Sequence, residues 1–355
     1  MSADLVVPPL WMELVAALEG RDPSPSITPA EAPGASTSFT QTQSSEQMPE
    51  EMVTVAGLAC RFPGASNRHE LWANLLKKEI SITAVSPDRW DASEFVSAER
   101  AAGKTVTCMA GWLPHIDRFD FAYFKMSKKE ALEMDPQQRM ALEVATEALV
   151  DSGIELSDLH ATRSAVYAGA GIAEFMGMSF SDPDNINPYT MTGNSLSVIA
   201  NRISFVYNLS GPSMTVDTAC SSASTAFHLA CQALRTGECE TAIVIGVGAL
   251  LHVSPFVGFS QAHMISPTGT SRPFDARANG FVRGEGCGTM ILRTRSSPVT
   301  VGVSYATVAG DGANEDGRTK SMTMPCGNAQ LDVMDCVHKR FGIDADQVQY
   351  STDLR

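Results

Sequence analysis

The residue in this sequence best placed to do chemistry is Cys220. It stands within Ser213-Met-Thr-Val-Asp-Thr-Ala-Cys220-Ser-Ser-Ala-Ser-Thr-Ala-Phe-His-Leu-Ala-Cys-Gln-Ala-Leu-Arg-Thr-Gly237, where two periodicities meet. Met214 to Val216 read as a short apolar strand. From Ser221 onward the apolar positions Ala223, Ala226, Phe227, Ala230 and Leu234 recur at helical spacing, and Gly237 fits the C′ position that closes a helix. Cys220 therefore falls at a strand-to-helix junction, where unpaired N–H groups and the positive end of the helix dipole converge. That setting favours thiolate over thiol, lowering a cysteine pKa from its free value of about 8.5. The same N–H groups can hold an oxyanion formed on a thioester carbonyl. Small residues (Ala219, Ser221, Ser222, Ala223, Ser224) leave room for close backbone packing and a substrate. The competing reading is that Cys220, one of eight cysteines, is a small core hydrophobe.

None of the seven histidines is an obvious partner for it. His228 lies eight residues down the same helix, roughly 12 Å away at the usual rise, and reads as a packed or capped helix residue. His263, in Gln261-Ala-His-Met-Ile-Ser-Pro267, reads as a solvated loop residue, with a general-base role as the alternative. His69, His115, His160, His252 and His338 have no motif around them. Gly246-Val-Gly248 starts like a dinucleotide fingerprint but lacks the third glycine. Gly284-Glu-Gly-Cys-Gly288 lacks the lysine of a phosphate-binding loop.

Around these residues, 355 positions with 44% hydrophobic content can bury a large core, as one domain or two sub-domains. A net charge of −14 argues against nucleic-acid binding, which needs a concentrated basic surface. The cysteines form no CxxC pair and no Cys/His ligand spacing, which argues against a structural zinc. Eight cysteines without a secretory signal fit a reducing compartment. Residues 1–50 hold one basic residue, Arg21, against seven acidic ones, unlike a transit peptide. No apolar run approaches the length of a membrane span. The expectation is a soluble, cytoplasmic protein.

In chain order, Trp11–Glu19 has the pattern of a short amphipathic helix, and residues 21–50, rich in Pro, Ser, Thr, Gln and Ala, read as a flexible linker. Met52–Ala59 reads as a strand and Cys60–Gly64 as a turn. A helix over His69–Lys78 is capped by Ser66 or Asn67. Asp135 suits an N-cap, Pro136 the first helical position and Gln138 the N3 position of a capping box, and Gly153 ends that helix. Arg163–Ala168 reads as a strand, Ser195–Tyr207 as a helix and Asn208–Pro212 as a turn. Thr241–Val247 is apolar throughout, as in a strand covered on both faces. The alternating Gly284, Gly286 and Gly288 suit a loop passing close to other backbone near the active site. Met290–Leu292 and Val301–Ala309 read as strands, Asn328–Phe341 as a helix, and Val348–Tyr350 as the start of another strand.

Four strings in order carry a resemblance: Gly57-Leu-Ala-Cys-Arg-Phe-Pro-Gly64, Asp135-Pro-Gln-Gln-Arg139, Val216-Asp-Thr-Ala-Cys-Ser-Ser222, and Ser271-Arg-Pro-Phe-Asp-Ala-Arg-Ala-Asn-Gly-Phe-Val-Arg-Gly-Glu-Gly-Cys-Gly288. Together they resemble β-ketoacyl synthases, in particular the ketosynthase domains of modular (type I) polyketide synthases. The resemblance implies an α/β, thiolase-like fold, layered α-β-α-β-α, built from two related halves. Here it implies a disordered N-terminal segment and linker over 1–50, a complete N-terminal half over 51–298, and the truncated start of a C-terminal half over 299–355.

The function implied is acyl transfer from an acyl carrier protein to Cys220, followed in the family by decarboxylative Claisen condensation with a malonyl-type thioester. Cys220 matches the family nucleophile, and its own N–H would be one oxyanion donor. The resemblance implies no cofactor of the chain's own, because phosphopantetheine arrives on the carrier protein, and it implies a homodimer. Arg272, Arg277 and Arg283 would either meet an acidic carrier protein or its phosphopantetheine phosphate, or hold their loop by local salt bridges. The family's first catalytic histidine follows the strand that starts here at Val348. In this sequence Tyr350 leads only into Ser351-Thr-Asp-Leu-Arg355, and neither that histidine, the second histidine nor the supporting lysine has a match. An acyl-accepting enzyme and a non-catalytic carrier-binding partner or inactive fragment both remain open at this point.

Overall fold

The computed structural model describes residues 52–295, 297 and 304–352. The expected 1–50 segment, with its Trp11–Glu19 helix, and residues 301–303 of the expected Val301–Ala309 strand lie outside the described residues.

A six-stranded mixed sheet organises the chain. Its strands are β1 (Val53–Arg61), β4 (Ser164–Gly169), β5 (Ser213–Val216), β6 (Thr241–Gly248), β7 (Gly286–Thr294) and β8 (Ala306–Val308), in the order β5-β4-β6-β7-β1-β8. A separate pair, β2 (Ile82–Ala84) and β3 (Met109–Gly111), runs antiparallel. β4 runs parallel to β5 and β6, whereas β7 is antiparallel to both β6 and β1. β8, from the segment expected to open a second half, pairs antiparallel with β1 on the same sheet.

Strand side chains point alternately to the two faces, and here both faces are buried. Val166, Ala168, Ile243, Ile245 and Ile291 pack on one side against α2 (Pro136–Ser152) and α3 (Ser197–Val206). Ala165, Tyr167, Ala242, Val244 and Leu292 pack on the other against Ala226, Ala230 and Leu234 of α4 (Ser222–Arg235). The described residues thus supply an α-β-α stack, three layers of the expected five. Two further helices matter below: α1 (Arg68–Lys77), capped by Asn67, and α5 (Gly327–Phe341).

Helix α2 begins as the sequence predicts, with the Asp135 carboxylate accepting from the Gln137 N–H at 2.8 Å and Pro136 in the first turn, and it ends at Gly153 with φ 68°. The capping box does not form. Gln138 turns away: its amide donates to the Gly193 carbonyl at 2.8 Å and accepts from Arg202 Nε at 2.8 Å. The Asp135 N–H is met by the Gly193 carbonyl at 2.8 Å instead. A buried arginine in need of acceptors outcompetes a local cap. Gly286 and Gly288, expected in a loop, are strand residues of β7. Val348–Tyr350 follows a single 3-10 turn over Ala345–Gln347 and pairs with no strand among the described residues.

Candidate active site

Cys220 sits in one 3-10 turn, Ala219–Ser221, between β5 and α4. The turn is tight enough to force Ala219 to φ 57°, a left-handed conformation that costs a non-glycine residue about 1–2 kcal/mol. Its neighbours hold it there. The Ala219 N–H donates to the Asp217 carboxylate at 3.0 Å, and the Thr218 N–H donates to the Ser222 hydroxyl at 2.8 Å. The Ser222 hydroxyl donates in turn to the Ala219 carbonyl at 2.7 Å. Ser221 donates to the Thr218 carbonyl at 2.8 Å, and the Thr218 and Thr225 hydroxyls lie 3.0 Å apart. Every polar side chain in Asp-Thr-Ala-Cys-Ser-Ser therefore has a structural task, and the thiol is left exposed. Among the described residues no acceptor is bonded to the Cys220 N–H. A strained strand-to-helix turn that presents a nucleophile beside free N–H groups is a recurring solution for acyl chemistry.

The helix behind Cys220 closes as predicted. Gly237 takes φ 71°, the Gly237 N–H reaches the Leu234 carbonyl at 3.2 Å and the Glu238 N–H reaches the Ala233 carbonyl at 2.9 Å, the two bonds of a Schellman motif. Its N-terminus is seated by a rung of glycines. Gly169, Gly246 and Gly288 lie side by side on β4, β6 and β7, with Val216 and Cys60 at the ends of the row. A Cβ on Gly169 would fall 2.4 Å from the Ala223 nitrogen, and one on Gly246 would fall 2.7 Å from the Ala223 Cβ. Only bare backbone lets the first turn of α4 sink this far onto the sheet.

That face of the sheet is the floor of a cavity of about 770 Å³ that Cys220 lines. Gly246, Gly248, Gly286 and Gly288 pave it, Leu58, Cys60 and Val244 flank the glycines, and Phe227, Leu71 and Phe62 rise around them. Its two charged residues are already engaged. Arg68 pairs with Asp151 at 2.5 Å. Glu285, fully buried at the carboxylate, pairs with Arg89 at 2.9 Å and accepts from the Leu113 and Leu250 N–H groups at 2.8 and 3.0 Å. The space offered to a ligand of Cys220 is apolar.

The other candidates are elsewhere. Burial pushes the thiols of Cys231, Cys239 and Cys287 up to about 12, and it raises Cys60, with Glu147 adding to the effect. No histidine lines the cavity. His228 Nδ1 lies 2.5 Å from the Asp311 carboxylate, which also holds Gln232 and Arg235. His263 stands exposed in a turn with φ 57°, and His160 bonds the Tyr207 carbonyl at 2.8 Å. Of the three loop arginines, Arg272 and Arg277 bond within their own loop, whereas Arg283 ties it to the helix Glu174–Ser179. Arg277 pairs with Asp275 at 2.7 Å, Arg283 with buried Glu174 at 3.0 Å, and Arg272 bonds the Thr268 hydroxyl at 2.9 Å. Gly169 and Phe62 were not singled out from the sequence, and Gly246 and Gly288 were read there only as part of a fingerprint-like string and of a loop. The signal available was the paired spacing of Gly246-Val-Gly248 and Gly286-Cys-Gly288, which here means a strand under a close neighbour. Among the described residues no group of three or more His, Cys, Asp or Glu side chains is arranged to hold a metal ion, and no helix is long and apolar enough to cross a membrane.

Residues 50–297 match the family Beta-ketoacyl synthase, N-terminal domain, and residues 305–352 match Beta-ketoacyl synthase, C-terminal domain. One component of the phenolphthiocerol/phthiocerol polyketide synthase of Mycobacterium tuberculosis is 40% identical over 340 residues, which are 95% of this chain and 18% of that protein. The partially reducing polyketide synthase men1 of Menisporopsis theobromae is 36% identical over 84% of this chain and 12% of its own. The chain thus spans under a fifth of these relatives. Among solved structures, the oxazolomycin ketosynthase domain OzmH KS7 of Streptomyces albus JA3453 superposes with a TM-score of 0.78 at 30% identity, over 82% of this chain and 52% of that one. The ketosynthase from module 6 of the Bacillus subtilis 168 bacillaene synthase gives 0.73 at 32% identity, over 82% and 49%. These neighbours carry the thiolase-like fold that the resemblance implies. By its matched strings, its fold and its relatives, the chain belongs to the β-ketoacyl synthase family, with polyketide synthase ketosynthases as its kin.

Proposed function

We propose that this chain performs the acyl-accepting step of a polyketide-type ketosynthase. The Cys220 thiolate attacks the carbonyl carbon of an acyl thioester carried by an acyl carrier protein. The carbonyl electrons move onto oxygen, and the Cys220 N–H stabilises that oxyanion. When the carbonyl re-forms, the bond to the phosphopantetheine sulfur breaks and the arm leaves as a thiolate that takes a proton from solvent. The acyl group is left on Cys220. No cofactor resident in the chain enters this scheme, since the phosphopantetheine comes with its carrier.

One observation carries the reading: an exposed thiol on a strained junction, beside an N–H without an acceptor, facing an apolar cavity of about 770 Å³. The chemistry proposed is the acyl transfer that Cys220 supports; the family's decarboxylative condensation draws on two further histidines. A homodimer is proposed with it. It is supported by the edge strand β5, which carries exposed Met214 and packs on α3, where Phe205 stands 85% exposed; such an edge invites pairing. We place the protein in the cytoplasm, on its eight free cysteines.

The test is intact-mass analysis after incubation with butyryl-N-acetylcysteamine, beside Cys220→Ala. The expected result is one added butyryl mass that is lost in the mutant. Absence of the adduct on folded protein would leave the non-catalytic carrier-binding reading instead.

A further inference from the structure

Phe62 lines two cavities at once. One is the chamber of about 770 Å³ at Cys220, and the other is a recess of about 310 Å³ floored by Leu113, Ile116 and Met140. Phe62 is the one residue common to the two linings. It lies along the end of the glycine floor, where a Cβ on Gly286 would fall 2.5 Å from its Cδ1 and one on Gly288 would fall 3.5 Å from its Cζ. Its backbone is fixed independently of anything in the chamber. Phe62 and Ala65 exchange two N–H···O bonds of 2.8 Å around Pro63-Gly64, with Gly64 at φ 74°, which is a type II turn with proline and glycine at the positions that turn demands. Pro63 is in turn seated against Gly111, where a Cβ would fall 2.8 Å away. A half-buried aromatic ring, held rigidly with open space on either side, does more than fill the core.

We propose that Phe62 is the stop that sets the length of acyl chain Cys220 accepts, and that the substrates are unbranched, apolar acyl groups. The inference rests on the reading of Cys220 as acyl acceptor. Gly169 and Gly246 lie under the first turn of α4, and beyond that turn the floor continues as bare backbone at Gly248, where an added Cβ meets nothing within 4 Å, and at Gly288, where it meets the Phe62 ring at 3.5 Å. That stretch of glycine backbone suits a slim extended chain. The charged groups along the way are already paired, so nothing there rewards a charged substituent. The path ends at the Phe62 ring. Each methylene buried short of the stop favours loading by about fourfold, and each one beyond it is refused.

The experiment offers the full chain an equimolar mixture of unbranched acyl-N-acetylcysteamine thioesters from two to twelve carbons and reads the adducts by intact mass. In Phe62→Ala the chamber opens into the recess, and the long-to-short adduct ratio should rise by about fourfold per methylene newly admitted. Gly248→Val should do the reverse, because a Cβ at Gly248 meets nothing within 4 Å and the side chain fills the floor without moving the strand. Circular dichroism confirms the folding of each variant, and Gly248→Val keeps the test decisive even where Phe62→Ala unfolds. A ratio unchanged in folded Phe62→Ala, or in folded Gly248→Val with short chains still loaded, overturns the stop while leaving the acyl-acceptor reading standing. Absence of every adduct on folded wild-type protein overturns that reading and the stop with it.

Discussion

Gly169 and Ala223 meet backbone to backbone: a Cβ on the glycine would lie 2.4 Å from the alanine nitrogen. The nucleophile turn hangs from this contact, since Ala223 follows Cys220 by three residues. Gly169→Ala should therefore push α4 off the sheet, destabilise the protein by about 3 kcal/mol and abolish acylation of Cys220. Gly177→Ala is the control. That glycine lies in the helix Glu174–Ser179 with nothing within 4 Å of the added Cβ, and the change should stabilise by up to about 1 kcal/mol. Urea denaturation of both variants, with intact mass on the folded fraction, checks the pair.

The left-handed Ala219 makes a second pair of outcomes. Ala219→Gly should stabilise the chain by about 1 kcal/mol, because glycine adopts φ 57° without the Cβ penalty. It should also slow acylation, since the thiol is no longer held to one direction. Ser222→Ala should cost about 1–3 kcal/mol, for it strands the Thr218 N–H that the hydroxyl now accepts at 2.8 Å. Thermal melts and single-turnover loading with a short acyl thioester separate the two effects.

Access distinguishes the cysteines. Cys220 and Cys336 are exposed, whereas Cys231, Cys239 and Cys287 are buried, with thiols pushed up to about 12. Iodoacetamide at neutral pH should label Cys220 and Cys336 at least tenfold faster than those three, since only exposed thiolate reacts. Peptide mapping reads the order directly.

The cap of α2 carries a pH signature. Burial lifts the Asp135 carboxyl above its ordinary value, against the opposing pull of the Gln137 hydrogen bonds. The folded chain therefore holds this proton more tightly than the unfolded chain. Its contribution to stability is complete below about pH 3.9 and is lost as pH rises to the raised folded value. Asp135→Asn cannot ionise and should flatten that decline. The cap survives, and the new amide N–H can meet Gln137 Oε1, now buried without a partner, once the Gln137 amide turns over. Asp135→Ala should lose about 1 kcal/mol at every pH. Urea midpoints from pH 3 to 7 measure both.

What was legible in the sequence was local. Strand β5, the Cys220 junction and the Gly237 closure follow from periodicity and turn chemistry within one stretch, and Asn67 and Asp135 declare their helices by side chains that reach two or three residues. What was not legible depends on partners far along the chain. Gln138 has the right spacing for a capping box but answers to Arg202, which it meets only after folding. Gly286 and Gly288 read as loop because glycine usually marks one, whereas their reason is the Phe62 ring some 220 positions earlier. His228 gave no hint of Asp311, 83 residues away, to which it is bonded. Val348–Tyr350 has strand composition but no strand edge beside it among the described residues.

The sheet is closed by its first strand. β1 ends at Arg61, and β7, which it pairs with over most of its length, starts at Gly286. A ribosome adding about 5–20 residues per second needs roughly 10–50 s to cover that distance. For that time the apolar β1 waits beside a cavity floor that has not yet been made, and loop closure over so long a span is intrinsically slow. A destabilised β7 should therefore show first as aggregation during synthesis, before any loss of Cys220 chemistry in the molecules that escape.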